Sequence, residues 1–150
     1  MLLLAPLHSR IVTLYDPRGN PRPKTEDRYC FKRYGKLYNI DPDLLRAISI
    51  VESQGKNVKR GNHNGTADYG HMQINTINVN RFNLDTTRLV NDPCYCTEQA
   101  ARILNELFLK YGRRWETIGM YHSFTKARRR RYYKKVRHVY EMLKKIDRRN

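Results

Sequence analysis

The dipeptide Asp-Pro twice precedes an apolar stripe of helical period, once at Asp41 and once at Asp92. The aspartate can accept hydrogen bonds from the free N–H groups of a first helical turn, and proline suits the first helical position because its missing N–H costs nothing there. The two predicted helices end near Gly55 and Gly112. Their apolar stripes are Leu44, Leu45, Ala47, Ile48 and Val51 in the first and Ala100, Ile103, Leu104, Leu107, Phe108 and Tyr111 in the second.

Helical periodicity also predicts shorter helices over residues 26–38, 71–78, 85–90 and 115–121. A last helix carries apolar positions spaced by four, three, four and three: Tyr132, Val136, Val139, Leu143 and Ile146. No segment alternates at period two for long enough to predict a strand. The predicted fold class is mainly α, with about six helices.

The length of 150 residues favours a single compact domain. Residues 1–24 hold four of the six prolines and no sustained period, so we expect an irregular N-terminal segment or the remnant of a signal peptide, followed by the folded domain over residues 25–150. The longest apolar run is only a few residues, far short of the ~18 to 20 needed to cross a bilayer, so we expect no membrane insertion.

Residues 55–70 form a polar stretch, GKNVKRGNHNGTADYG, with four glycines and three asparagines. This composition predicts a long loop, and loops of that length inside compact domains are usually functional. Glu52 lies just before the loop, four residues after Ile48 and seven after Leu45, so helical geometry puts its carboxyl at the edge of the apolar face. A partly buried carboxyl has a raised pKa and can donate a proton near neutral pH. The alternative is a glutamate at a helix rim that points into water.

Thirty basic and fourteen acidic residues give a net charge of +16, which favours an anionic partner. Residues 126–150 contain twelve Lys or Arg against Glu141 and Asp147, so this tail carries +10. Two interpretations fit: a solvated surface that also attracts an anionic polymer, or a nucleic-acid surface.

Three cysteines allow one disulfide and one free thiol. Cys94 and Cys96 are two residues apart on a predicted helix, about 200° of rotation, so only one of them can face Cys30. A bridge across this separation implies an oxidising compartment and stabilises the fold by about 4 kcal/mol. The C-x-C pattern lacks the second cluster that a zinc site needs, so we expect no metal and no cofactor.

The segments AISIVES (residues 47–53) and GHMQIN (residues 70–75) resemble the paired signature of the lytic transglycosylases of the goose-lysozyme-like superfamily. The segments YNIDPDLLRAIS (residues 38–49) and NDPC (residues 91–94) are similar to the small members that accompany type III and type IV secretion and conjugation machines. The similarity covers roughly residues 29 to 122 and implies a lysozyme-like fold with a Gly-rich active-site loop. It also implies cleavage of the β-1,4 link between N-acetylmuramic acid and N-acetylglucosamine, with Glu52 as general acid and base.

The resemblance further suggests Asp68 as a second catalytic carboxyl, as in certain secretion-associated members; the alternative is that Asp68 caps the next helix or ties down the loop. The expected substrate-binding residues are Ser53, Tyr69, Gly70, Met72, Gln73, Asn75 and Tyr121; the alternative for Met72 is packing in the core. The chain departs from the family pattern at His71, which stands in place of Leu or Ile and could alter the subsite beside the acid. It departs again at GMYHS (residues 119–123), where only Tyr121 matches the usual motif.

Taken together, the sequence predicts an exported enzyme of the periplasm or cell envelope with a disulfide between Cys30 and Cys94. Its expected partners are peptidoglycan strands and a component of a secretion machine. A basic nucleic-acid-binding protein and a glycan-binding homologue without activity are the alternatives.

Overall fold

The computed structural model describes residues 27–149, and over these it contains seven helices and three short strands. The expected irregular segment over residues 1–24 lies outside the described residues. In chain order the elements are α1 (Phe31–Tyr38), α2 (Pro42–Ser53), β1 (Lys59–Gly61), β2 (Ala67–Tyr69), β3 (Ile74–Asn75), α3 (Thr76–Phe82), α4 (Thr86–Asn91), α5 (Pro93–Tyr111), α6 (Trp115–Met120) and α7 (Lys126–Arg149). The prediction of a mainly α fold is confirmed.

Both Asp-Pro helix starts are confirmed. The carboxylate of Asp41 accepts a hydrogen bond from the backbone N–H of Asp43, and that of Asp92 accepts one from Tyr95. The helix α2 ends through Gln54, whose φ of 59° turns the chain into the left-handed region. This sharp end matters because Glu52 lies in the last turn, directly before the chain leaves the helix.

The core is formed where α2 packs against α7 and where α1 packs against both α2 and α5. Four of the five predicted apolar positions of α7 are buried in it, namely Tyr132, Val136, Val139 and Leu143. A disulfide between Cys30 and Cys94 fastens the residue before α1 to the first turn of α5, while Cys96 is buried with a free thiol. None of the described helices is long and apolar enough to cross a membrane.

The prediction that residues 55–70 form a simple loop is wrong, because this stretch contains a β-hairpin. Strands β1 and β2 pair antiparallel, and β3 pairs with β2 on its other side. The tip closes through local bonds: the backbone N–H of Asn62 donates to the carbonyl of Thr66, and the N–H of Thr66 donates to the side chain of Asn64. Strands this short are set by their turn, so they leave no alternating pattern in the sequence.

The helix predicted over residues 71–78 begins later, at Thr76. Residues 71–73 form a turn and β3 follows, since Gly70 and Gln73 both adopt positive φ. Asn75 then caps α3 by accepting a hydrogen bond from the backbone N–H of Ile77. The first predicted helix likewise starts later than expected, at Phe31, because the carboxylate of Asp27 accepts hydrogen bonds from its first N–H groups.

Candidate active site

A groove of about 510 Å³ crosses the surface where α2, the small sheet and the segment after α6 meet. Glu52 from α2 and Asp68 from β2 both line it. The remaining lining residues are Asn62, Asn64, Thr66, Gln73, Ile74, Asn75, Ile77, Asn78, Arg81, Met120, Tyr121, His122, Ser123, Phe124 and Arg128. Most of these residues have polar side chains, which can form hydrogen bonds with a polar ligand.

Glu52 is only partly exposed in this groove, and burial raises the pKa of its carboxyl to about 8. The hydroxyl of Tyr132 and the positive charge of Arg60 lower the pKa of Glu52, whereas the negative charge of Asp68 raises it further. The guanidinium of Arg60 also donates a hydrogen bond to the main-chain carbonyl of Glu52, at 3.0 Å. A carboxyl in this setting keeps its proton at neutral pH and can give it to a leaving group.

Asp68 faces the groove from the central strand of the sheet, and its carboxylate is held by two amides. One oxygen accepts from Asn75 at 2.8 Å and the other from Asn62 at 3.1 Å. Because Asn75 also caps α3, Asp68 ties the hairpin to the start of that helix. The same residue therefore brings a negative charge close to Glu52 and keeps the groove wall in place.

Two tyrosines flank Glu52 from the C-terminal part of the chain. The hydroxyl of Tyr121 donates to the main-chain carbonyl of Met72 at 2.7 Å, so this ring is fixed to the turn after β2. Tyr132 lies on α7, and its buried hydroxyl forms no hydrogen bond within the described part of the chain. It lies beside the carboxyl of Glu52, and burial together with the charge of Glu52 raises the pKa of its phenol well above the usual range.

Of the expected substrate-binding residues, the structure places Gln73, Asn75 and Tyr121 in the groove. The amide of Gln73 donates to the main-chain carbonyls of Gly70 and Val58, at 2.9 and 3.1 Å, which fixes the orientation of its side chain. Gln73 and Tyr121 are thus held by hydrogen bonds to the backbone, whereas Asn75 is held by Asp68 and by the N–H of Ile77.

Four other expected residues lie behind the wall of the groove or outside its lining. Met72 is fully buried in the core, and the buried hydroxyl of Ser53 donates to the main-chain carbonyl of His71 at 2.7 Å. At Gly70 a β-carbon would collide with Leu89, and Tyr69 is partly covered by the ammonium group of Lys59 over its ring. These four residues support the groove from behind or beside it.

His71 is buried and does not line the groove, so it cannot alter the subsite beside the acid by direct contact. Its ring nitrogens form hydrogen bonds with Ser49 at 2.8 Å, Thr97 at 3.1 Å and the carbonyl of Pro93 at 3.0 Å. Burial lowers its pKa to about 4, so the ring is neutral near pH 7. It replaces an aliphatic residue with a polar link between α2 and α5.

The sequence interpretation missed Arg60, His122 and Tyr132 as residues of the site. His122 lines the groove and stacks on Tyr132, with ring centroids 4.8 Å apart and an interplanar angle of 7°. Tyr132 was assigned to the apolar stripe of α7; the available signal was that it is the only phenol among aliphatic positions and needs a polar partner when buried. Nothing in the sequence distinguishes Arg60 from its many basic neighbours.

No group of three or more His, Cys, Asp or Glu side chains between residues 27 and 149 could hold a metal ion. The groove itself presents proton donors and acceptors. One protonated carboxyl, one nearby carboxylate and a phenol form a set suited to acid and base catalysis on a glycosidic bond.

Comparison with known proteins agrees with this geometry. The model of the transglycosylase SLT domain matches residues 29–141. The protein IpgF of Shigella flexneri is 37% identical over 106 residues, covering 68% of this chain and 70% of IpgF. The invasion protein IagB of Salmonella typhi is 34% identical over 126 residues, 79% of each chain. A peptidoglycan-binding-like protein of Escherichia coli O157:H7 is 31% identical over 135 residues, 80% of this chain and 81% of its own. The chain therefore belongs to the transglycosylase SLT domain family and is a peptidoglycan lytic transglycosylase.

Proposed function

We propose that Glu52 cleaves the β-1,4 bond between N-acetylmuramic acid and N-acetylglucosamine, acting first as acid and then as base. The observation that carries this proposal is the partly buried carboxyl in a polar groove, whose pKa is raised to about 8 by burial. Glu52 gives its proton to the glycosidic oxygen, the bond from that oxygen to C1 of muramic acid breaks, and positive charge develops at C1.

In the second step the carboxylate of Glu52 takes a proton from the C6 hydroxyl of the same muramic acid. The C6 oxygen then bonds to C1 and closes a 1,6-anhydro ring, so Glu52 is protonated again and no water is consumed. One carboxyl is sufficient because the substrate supplies the nucleophile, unlike the two-carboxylate arrangement of most glycosidases. The hydroxyl of Tyr132 favours the carboxylate form of Glu52 between the two steps.

We assign Asp68 the role of favouring the positive charge at C1 through its own negative charge. Its hydrogen bonds to Asn62 and Asn75 support this role, because they fix the carboxylate at the groove wall. Gln73, Asn75 and Tyr121 are the proposed contacts to the sugars, and Ser53, Tyr69, Gly70 and Met72 hold the floor on which these contacts depend.

The test is the Glu52→Gln variant, which keeps the shape of the side chain and removes its proton transfer. We expect the release of soluble fragments from purified cell walls to fall by about 1,000-fold or more. Mass spectrometry of the wild-type products should show ends lighter by one water than hydrolysed ends. Equal clearing by the variant and the wild type, with both folded by circular dichroism, would exclude Glu52 as the acid.

We further propose that the protein is exported to the periplasm and opens the wall locally for a secretion or conjugation machine. The disulfide between Cys30 and Cys94 supports an oxidising compartment, and the name of the invasion protein IagB supports a link to such machines. Alkylation of denatured protein from intact cells should label one thiol, that of Cys96. Labelling of all three cysteines would contradict the export.

A further inference from the structure

A second cleft of about 170 Å³ lies against Glu52, next to the groove. Its walls come from the end of α2, from His122 and from α7. The lining residues are Val51, Glu52, His122, Arg128, Arg131, Tyr132 and Lys135. Glu52, His122 and Arg128 belong to both the cleft and the groove, so a single branched ligand can occupy the two at once.

The cleft is strongly cationic. Arg128, Arg131 and Lys135 are spaced by three and four residues, so they project from one face of α7. Within residues 27–149 none of the three forms an ion pair, whereas Lys144 of the same helix is held by Asp41 and Asp43. The first turn of α7 holds no acidic residue that would offset the positive end of the helix dipole.

The substrate of the proposed reaction carries its negative charge close to the bond that is cut. Peptidoglycan stems are attached to the muramic acid, the sugar whose C1 must lie at Glu52, and they bear free carboxylates. A stem leaving that sugar starts beside Glu52, where the cleft opens. Arginine and lysine side chains bind carboxylates by charge-assisted hydrogen bonds.

We propose that this cleft binds the carboxylates of the peptide stem on the muramic acid whose bond is cut, an inference that rests on the proposed function. The enzyme then discriminates between glycan with stems and glycan from which they have been removed. The shared residues favour this ligand over nucleic acid, because a stem and its sugar are one molecule that fills both cavities.

The test compares two soluble substrates, glycan chains with intact stems and the same chains after an amidase has removed the stems. The test variant is Arg131→Gln with Lys135→Gln, which leaves out Arg128 because it also lines the groove. The matched control is Arg130→Gln with Lys134→Gln, which removes the same charge from exposed neighbours on α7 outside the cleft.

We expect the test variant to lose about tenfold in kcat/KM on chains with stems, and to change less than about twofold on chains without them. The control variant should stay within about twofold of the wild type on both substrates. An equal loss on the two substrates, or a loss in the control as large as in the test variant, would overturn the proposal.

Equilibrium binding to protein carrying Glu52→Gln separates this proposal from the proposed function, since binding needs no turnover. If the wild type cuts neither substrate, the catalytic assignment fails. The stem site is then still supported if a preference for chains with stems disappears with Arg131→Gln and Lys135→Gln. If that pair instead abolishes a salt-sensitive DNA gel shift and leaves the stem preference unchanged, the cleft is a nucleic-acid site and the proposal is wrong.

Discussion

In the proposed mechanism Glu52 acts in two opposite states within one turnover, because it first gives a proton and then takes one back. Burial alone would hold it in the protonated state, and the negative charge of Asp68 works in the same direction. Tyr132 and Arg60 oppose that effect and bring the pKa to about 8, near enough to neutrality for both states to be reached. The residues that oppose burial are therefore as important to the cycle as burial itself.

Two substitutions should move the pH dependence of the rate in opposite directions. We expect the rate to fall on the alkaline side as Glu52, whose pKa is about 8, loses its proton. Asp68→Asn removes a charge that raises the pKa of Glu52, so the alkaline fall in rate should shift to lower pH. Tyr132→Phe removes a hydroxyl that lowers this pKa, so the alkaline fall should shift to higher pH. The measurement is kcat/KM against pH on soluble glycan.

Asp68→Asn should also lower the maximal rate, by about 100-fold, if its charge favours the transition state. A shifted limb with an unchanged maximal rate would leave Asp68 with only its structural bonds to Asn62 and Asn75. Shifts of the same sign in the two variants would contradict the arrangement of charges around Glu52.

The position of Glu52 at the groove could be predicted from the sequence, because α2 has its own cap and its own apolar stripe. The neighbours of Glu52 could not be predicted from the sequence. Tyr132 is eighty residues away in the chain, and only the packing of α7 on α2 brings its hydroxyl beside the acid. Met72 belongs to a family motif, yet its side chain lies in the core. The turn before β3 determines which side chains of the motif face the groove, and the sequence does not show this turn.

At the scale of elements, the turn that joins β2 to β3 supports the groove from behind. Gly70 has a φ of +75° and lies against the carbonyl of Leu89 and the sulfur of Cys96. The same turn presents the carbonyl of Met72 to Tyr121. Displacement of this turn would therefore move a wall residue of the active site together with the sheet.

Gly70→Ala and Gly65→Ala form a matched pair that separates backbone strain from crowding. Both glycines have positive φ, but a β-carbon at Gly65 meets nothing within 4 Å. We expect Gly65→Ala to lower the free energy of unfolding by about 1 kcal/mol and Gly70→Ala to lower it by about 3 kcal/mol. Urea denaturation measures the free energy of unfolding of both variants. Equal losses would mean that the turn at Gly70 moves to accommodate the added methyl group.

The two helices that begin at Asp-Pro could be predicted because each signals its own start and its own apolar face. Asp41 and Asp92 cap these helices by accepting hydrogen bonds from residues two and three positions later, so the helix starts depend only on neighbouring residues. The three strands depend instead on bonds between Asn62, Asn64 and Thr66 and on pairing across the sheet. Such short strands have no period that a sequence could show, which is why a loop was expected there.

For the whole molecule, the raised pKa of Glu52 carries a cost in stability. In the unfolded chain this carboxyl has its ordinary pKa near 4.5, while in the folded protein burial raises it to about 8. Between these values the unfolded state releases a proton that the folded state keeps, so stability is lost as the pH rises from about 4.5 to 8.

Glu52→Gln should therefore stabilise the protein at neutral pH while it abolishes catalysis. We expect its free energy of unfolding to exceed that of the wild type by on the order of 2 kcal/mol at pH 7, with little difference at pH 4. Denaturant unfolding at the two pH values measures this. Glu116→Gln, at an exposed site paired with Arg114, is the control and should show no comparable gain. A gain of equal size at both pH values would show that proton linkage is not its cause.

The order of the elements along the chain has a consequence for how the catalytic centre is assembled. Glu52 lies on α2 and Tyr132 lies on α7, with three strands and four helices between them. Until α7 packs on α2, the acid lacks its phenol and the core lacks one side. A fragment of this protein that ends before α7 therefore lacks a competent cutting centre.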